Sequence, residues 1–389
     1  MRPVVLFGLL ILQAGARAQP VPVESDCSGP PALHPPSQAP RLLCYVDWTR
    51  PRLNYGFRFY AGYSVAIPIP YTAARRPVVR VFTQITPMNE HGAAVCLDQS
   101  IAPTPGASGS DLSVSGGFFL GEGRYRVDLT IADQTDSVYQ RSVTMIAALK
   151  RGEREVKLRL GPGAIQPIQK ISWTPRPPNA SGVHRRLTVF LHAASLFGPR
   201  TSLEVSDEAR LMSVLSTVLS DSAFEEIRLI AFNLDQRKEI FRQDPLDADG
   251  FRRLSDVLLA LDLNVAPVSA FGLGAHDTAL LDSLVRAELS AEHPADAILF
   301  LGPDAYEDAR WHTLPCRADH SGPRLVYFQQ RVDRDGASDV LPVRPPEFVD
   351  TIERLVRACS GEVFRIHNPA ELSAAIEKLN APAASSLQR

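Results

Sequence analysis

The hydrophobic period of this chain changes once, at a proline-rich stretch over residues 161–185, and that change limits the fold more than any single motif does. Before it, short β-like runs at residues 57–70, 78–85, 94–97, 117–119, 125–132, 137–147 and 155–160 are separated by turn residues. Tyr125-Arg126-Val127-Asp128-Leu129-Thr130-Ile131 alternates polar and apolar side chains, so one face of that strand turns to a core and the other to water. No helical period interrupts this half, which predicts an all-β, sandwich-like domain over residues 41–160.

Beyond the prolines at 162, 167, 175, 177 and 178 the pattern becomes strand, helix, strand. The run at 187–194 is apolar throughout, as a strand covered on both faces is. Ser206 reads as the cap of a helix whose buried stripe is Leu211, Val214, Leu215 and Val218. Further strands fall at 227–232, 239–241, 297–301, 324–328 and 363–366, and helices at 251–261 and 277–289. One more helix opens near Pro346 and stops at Gly361, and the last is opened by Asn368, Pro369 and Glu371. The alternation predicts an α/β doubly wound, mostly parallel sheet over residues 186–381, with 382–389 as a tail.

The first 18 residues read as a signal peptide: Arg2, a short apolar run over 3–12, then Ala16-Arg17-Ala18 as a cleavage pattern. Residues 19–40, dominated by Pro, Ser and Ala, read as a spacer. The protein is therefore expected to be exported, periplasmic or extracellular, with no membrane span. Export makes cysteines candidates for disulfides. There are five, so they cannot all pair within one chain, and the local pairs would be Cys27 with Cys44 and Cys316 with Cys359, leaving Cys96. The 41 basic and 43 acidic residues give a formal charge of −2, which excludes a general electrostatic attraction to nucleic acid.

The order of elements after the prolines, with Leu187-Thr188-Val189-Phe190-Leu191 at its start and Leu355-Val356-Arg357-Ala358-Cys359-Ser360-Gly361-Glu362-Val363-Phe364 near its end, resembles the von Willebrand factor type A domain of secreted bacterial proteins. The resemblance implies a cation held by Asp-x-Ser-x-Ser after the first strand, a threonine from a later loop and an aspartate after the fourth strand. Here His192 stands for the first aspartate, Ala194 and Leu196 for the serines, and Pro303 for the last aspartate; Thr278 is retained and Asp304 comes one residue late. A hard cation needs an oxygen shell with a carboxylate in it, so the site is expected to be degenerate and free of metal or other cofactor. The crevice beyond the carboxyl ends of the strands remains the expected binding surface, formed by His192, Ser195, Thr278, Gly302 and Asp304.

Nucleophile elbow, phosphate-loop and H-E-x-x-H motifs are missing. Asp247-Ala248-Asp249-Gly250 reads as a helix cap rather than a calcium loop. His312, Cys316 and His320 share a four-residue spacing, but Pro315 and Gly322 oppose the helix that would align them. The expected function is a non-catalytic binding or scaffold role toward a protein or other macromolecule. The alternative is a transition-metal-dependent hydrolase or processing factor built on His192, His276, Asp304 and His312.

Overall fold

A computed structural model of the protein describes residues 23–25, 27, 42–68, 78–88, 92–101, 112–133, 137–176, 185–196, 202–263, 279–305, 322–331 and 350–381. The expected leader, most of the spacer and the tail lie outside the described residues. Two compact units are present: one comprises Met1–Arg52, Phe59–Ala148 and Leu160–Ile168, the other Leu53–Arg58, Leu149–Arg159 and Gln169–Arg389.

Unit 1 is built from strands β1 (Val23–Ser25), β2 (Tyr45–Leu53), β3 (Phe59–Ile67), β4 (Val79–Pro87), β5 (Val95–Ile101), β6 (Leu112–Leu120), β7 (Gly123–Ala132), β8 (Val138–Ala147) and β9 (Ile165–Pro167). They form a five-stranded sheet, β1-β5-β4-β7-β8, and a four-stranded one, β2-β3-β6-β9. Alternate residues of both sheets, Tyr63, Val65 and Val114 from one and Val81, Leu129 and Ile131 from the other, share one buried cluster. The unit is thus sandwich-like. Residues 155–160, expected as a strand, are not one, whereas β9 arises within the proline-rich stretch and pairs with β6.

The expected Cys27–Cys44 pair is corrected: Cys27 is bonded to Cys96. Ser25 of β1 lies opposite Cys96 of β5, so the strand pairing itself brings Cys27 within reach. Cys44 is a buried free thiol whose pKa burial pushes up to about 11. Cys359 is disulfide-bonded, and Cys316 lies outside the described residues.

Unit 2 contains β10 (Arg186–His192), α1 (Val205–Asp221), β11 (Glu226–Asn233), β12 (Lys238–Gln243), α2 (Ala248–Leu259), α3 (Ala279–Leu289), β13 (Ala297–Pro303), β14 (Arg324–Gln330), α4 (Thr351–Ala358), β15 (Glu362–Ile366) and α5 (Pro369–Asn380). Its sheet runs β12-β11-β10-β13-β14-β15. The four pairings from β11 to β15 are parallel, and β12 closes the other edge antiparallel to β11. Phe190, Ile230, Ile298, Phe300 and Tyr327 pack with Leu281 and Val285 of α3 and Ile352, Leu355 and Val356 of α4. Helix α1 begins after Glu204, two residues before the expected cap Ser206. Asp247 caps α2 and Asn368 caps α5, whereas α4 is capped by Asp350 rather than opened at Pro346, which is outside the described residues.

Within unit 2 the segment Leu53–Arg58 is tied down by Tyr55. Its hydroxyl donates to the His367 carbonyl at 2.7 Å and accepts from Arg210 at 2.8 Å, and its own carbonyl accepts from Thr217 Oγ1 at 2.7 Å.

The fold class expected for the chain is corrected. Strands hold 43% of the described residues and helices 25%, in three sheets whose pairings are mainly antiparallel, so the protein is mostly β rather than a doubly wound α/β protein with a β-rich preface. The two antiparallel sheets of unit 1 together contain more strands than the sheet of unit 2.

Candidate functional site

Polar residues gather where β10 and β14 end, His192, Gln329 and Gln330, and Asp304 follows β13 directly. His192 closes β10 and is 2% exposed, stacked on the Phe232 ring at 5.4 Å between centroids. Its Nδ1 lies 3.2 Å from the Pro303 carbonyl oxygen, which can only accept, so Nδ1 carries the proton and Nε2 does not. Nε2 has no accessible surface and, among the described residues, no partner. Burial lowers the pKa of His192, against the smaller upward pulls of Asp235, the Pro303 carbonyl, Asp350 and Asp304, and the ring is neutral at pH 7.

Gly302 is required beside it. Its φ is +150°, and a Cβ there would stand 2.6 Å from the His192 carbonyl oxygen.

Asp350 is the carboxylate on which this end of the sheet converges. Its Oδ1 accepts from the N–H groups of Ile352 at 2.8 Å and Glu353 at 3.0 Å, the first turn of α4. Its Oδ2 accepts from Gln329 Nε2 at 2.8 Å and from the Ala305 N–H at 3.3 Å. Tyr327 brings its hydroxyl to 3.0 Å from both Asp350 Oδ2 and the Pro303 oxygen. Burial raises the pKa of Asp350, the charge of Asp304 pushes the same way, and the hydrogen bonds from Glu353, Gln329 and Tyr327 oppose both. Asp304 itself has a 4% exposed side chain and faces Arg331 Nε at 3.5 Å, while that Nε also donates to Gln329 Oε1 at 3.0 Å.

Three of the expected surface residues, His192, Gly302 and Asp304, therefore meet in one region, but as parts of a buried framework. Ser195 belongs to a separate one: its Oγ donates to Asp207 Oδ2 at 3.4 Å, and the Leu196 N–H donates to Asp207 Oδ1 at 3.2 Å. Thr278, His276 and His312 lie outside the described residues. Asp350, Tyr327, Gln329, Arg331 and Asp207 were not anticipated. A signal for Asp350 was present, since an aspartate three residues before Glu353 at the start of an apolar stripe is a capping pattern.

The residues standing in the cation positions do not make an oxygen shell. His192 offers a buried imidazole, and Ala194 and Leu196 are buried apolar side chains. Among the described residues no group of three or more His, Cys, Asp or Glu is arranged to hold a metal ion. Asp247 accepts from the Gly250 N–H at 2.6 Å as a helix cap. No helix among the described residues is long and apolar enough to cross a membrane.

No family model matches the chain, and no curated protein does either. Among solved structures it is similar to OgpA from Akkermansia muciniphila, at 13% identity and a TM-score of 0.20, over 30% of this chain and 32% of that one. It is also similar to the superoxide reductase (neelaredoxin) of Ignicoccus hospitalis, at 12% identity and a TM-score of 0.19, over 29% and 85% of the two chains. A glycosyl hydrolase family 2 member from Bacteroides cellulosilyticus follows at 10% identity and a TM-score of 0.20, over 74% of this chain and 36% of that one. The chain thus spans about a third of the length of the first of them. These neighbours are not von Willebrand factor A domains, and at such TM-scores they establish neither a shared fold nor a shared activity.

Proposed function

We propose that the protein is an exported, non-catalytic binding protein that engages a macromolecular partner at the carboxyl ends of β10, β11, β13 and β14. The observation that carries this reading is the commitment of Asp350 to five donors from three directions, α4, β14 and the segment after β13. A carboxylate so engaged is unavailable as a base or ligand, and it stiffens the floor from which neighbouring segments project. Exposed Asp235, which follows β11, is one such contact position. Export is supported by the Cys27–Cys96 disulfide, a bond that persists in oxidising compartments.

The test is photo-crosslinking from a reactive residue placed at Asp235, or at Glu226 at the opposite end of the same strand. A discrete adduct from Asp235 but not Glu226 is expected. Equal labelling at both ends, or a hydrolytic activity abolished by His192→Ala, would overturn the reading.

A further inference from the structure

In the five-stranded sheet of unit 1, strand β5 lies between β4 and the outermost strand, β1. Strand β4 accompanies β5 from end to end, from Val79 opposite Ile101 to Ile85 opposite Val95. Strand β1 meets it only at Val23 opposite Asp98, Glu24 opposite Leu97 and Ser25 opposite Cys96. Val23 is 68% exposed, Glu24 is exposed and Ser25 is half-buried. The buried cluster shared by the two sheets contains Val79, Val81 and Ile101 and, among the described residues, nothing from β1. A ladder this short that covers so little apolar surface frays readily, and a covalent tie makes up the difference.

That tie is the bond from Cys27, two residues beyond β1, to Cys96. Cys96 is completely buried and Cys27 half-buried, so a reductant meets the Cys27 sulfur first. We infer that the Cys27–Cys96 bond is a redox latch: oxidised, it keeps β5 an inner strand, and reduced by a dithiol, it releases β1 and turns residues 96–98 into a sheet edge. The dithiol's thiolate attacks Cys27 Sγ, forming a mixed disulfide and expelling Cys96 as a thiolate that takes up a proton. The second thiol then displaces the Cys27 sulfur, which is protonated in turn, and the reductant leaves as its own disulfide. Two electrons and two protons pass to the protein. Cys44 does not compete, because burial pushes its thiol pKa up to about 11 and keeps it protonated. The sandwich cluster stays packed, since β1 supplies none of it. This inference concerns unit 1 and is independent of the binding role proposed for unit 2.

Hydrogen exchange of the full chain, with and without dithiothreitol and without denaturant, tests the latch. Reduction should speed exchange at Glu24 and Ser25 by about tenfold or more, while residues 127–131 of β7 keep their rates. Because Cys359 is also disulfide-bonded, Cys27→Ser isolates this bond: it should show the fast β1 rates before reductant is added and no further change there afterwards. If Cys27→Ser fails to fold, the reduced wild type, with the Cys27 and Cys96 thiols identified by alkylation, decides alone. A bond that resists dithiothreitol until urea unfolds the chain, a β1 that keeps its protection once the bond is reduced, or a β7 that loses protection together with β1 would overturn the inference.

Discussion

Tyr327 holds its hydroxyl 3.0 Å from Asp350 Oδ2 and equally close to the Pro303 oxygen, so a single phenolic proton serves two acceptors inside the protein. This contact joins the capped end of α4 to the end of β13. Asp350→Ala would remove the cap and strand three further donors, Gln329 Nε2, the Ala305 N–H and the Tyr327 hydroxyl. A loss of about 3 kcal/mol or more is expected in urea denaturation. Tyr327→Phe removes one donor and should cost about 1 kcal/mol. A smaller loss in Asp350→Ala than in Tyr327→Phe would contradict the central place given to the carboxylate.

Two of the buried titratable groups here, His192 and Asp350, respond to pH in opposite directions. Asp350 has a folded pKa above its ordinary 3.8, so its contribution is present below that pH and is lost as pH rises through the folded value. His192 has a folded pKa below 6.5, so its contribution is present above 6.5 and is lost as pH falls through the folded value. Melting curves from pH 8 to 4 should therefore show His192→Gln losing less stability on acidification than the wild type does. Asp350→Asn should gain on the wild type as pH rises from 4. Parallel curves for all three proteins would show that neither group titrates as its burial requires.

Gly302→Ala places a methyl group 2.6 Å from a backbone oxygen at a φ of +150°. It should cost about 2–4 kcal/mol through the forced shift of β10 or the turn. Gly152→Ala, with nothing within 4 Å of the added carbon, should change stability by less than about 0.5 kcal/mol. Equal losses in the two variants would remove the steric account.

The melting midpoint should be the same in EDTA, Mg²⁺ and Ca²⁺, because an ion held only by the folded state raises the midpoint by mass action. A reproducible rise with Mg²⁺ that vanishes in Thr278→Ala would restore a metal-dependent site. A rise with Zn²⁺ alone, lost in His192→Ala, would favour the hydrolase alternative.

Peptide mapping without reduction should link the peptides of Cys27 and Cys96, with Cys44 alkylated only after unfolding. Because the bond closes 69 residues of sequence, replacing Cys27 and Cys96 by Ser should cost about 2–4 kcal/mol.

What the sequence disclosed was local. The apolar run at 227–232 lies inside β11, and Asn368, Pro369 and Glu371 open α5 as their chemistry requires, with the Asn368 side chain accepting from the Glu371 N–H at 3.1 Å. What it concealed depended on partners distant in the chain. Strand β2 contains Arg50-Pro51-Arg52, which breaks the alternation a strand shows, so its strand character is not legible from the period. Pro346 drew the start of α4 upstream and hid Asp350. The partner of Cys27 follows from the pairing of β1 with β5, which no spacing encodes. His192 looked exposed because it ends a strand, yet the Phe232 ring and the turn at Gly302 close over it.

The bond from Tyr55 to His367 spans 312 residues, and it fixes when unit 2 can be finished. At about 5–20 residues per second, a ribosome takes roughly 15–60 s to make the second partner after the first has left it. Through that interval the Tyr55 ring must persist without its final neighbour, and for its first half without the Arg210 and Thr217 groups as well. Unit 2 therefore cannot close behind the advancing chain as it is made. Its assembly waits for the residue after β15, so the second unit is completed only once residues 53–367 are all available.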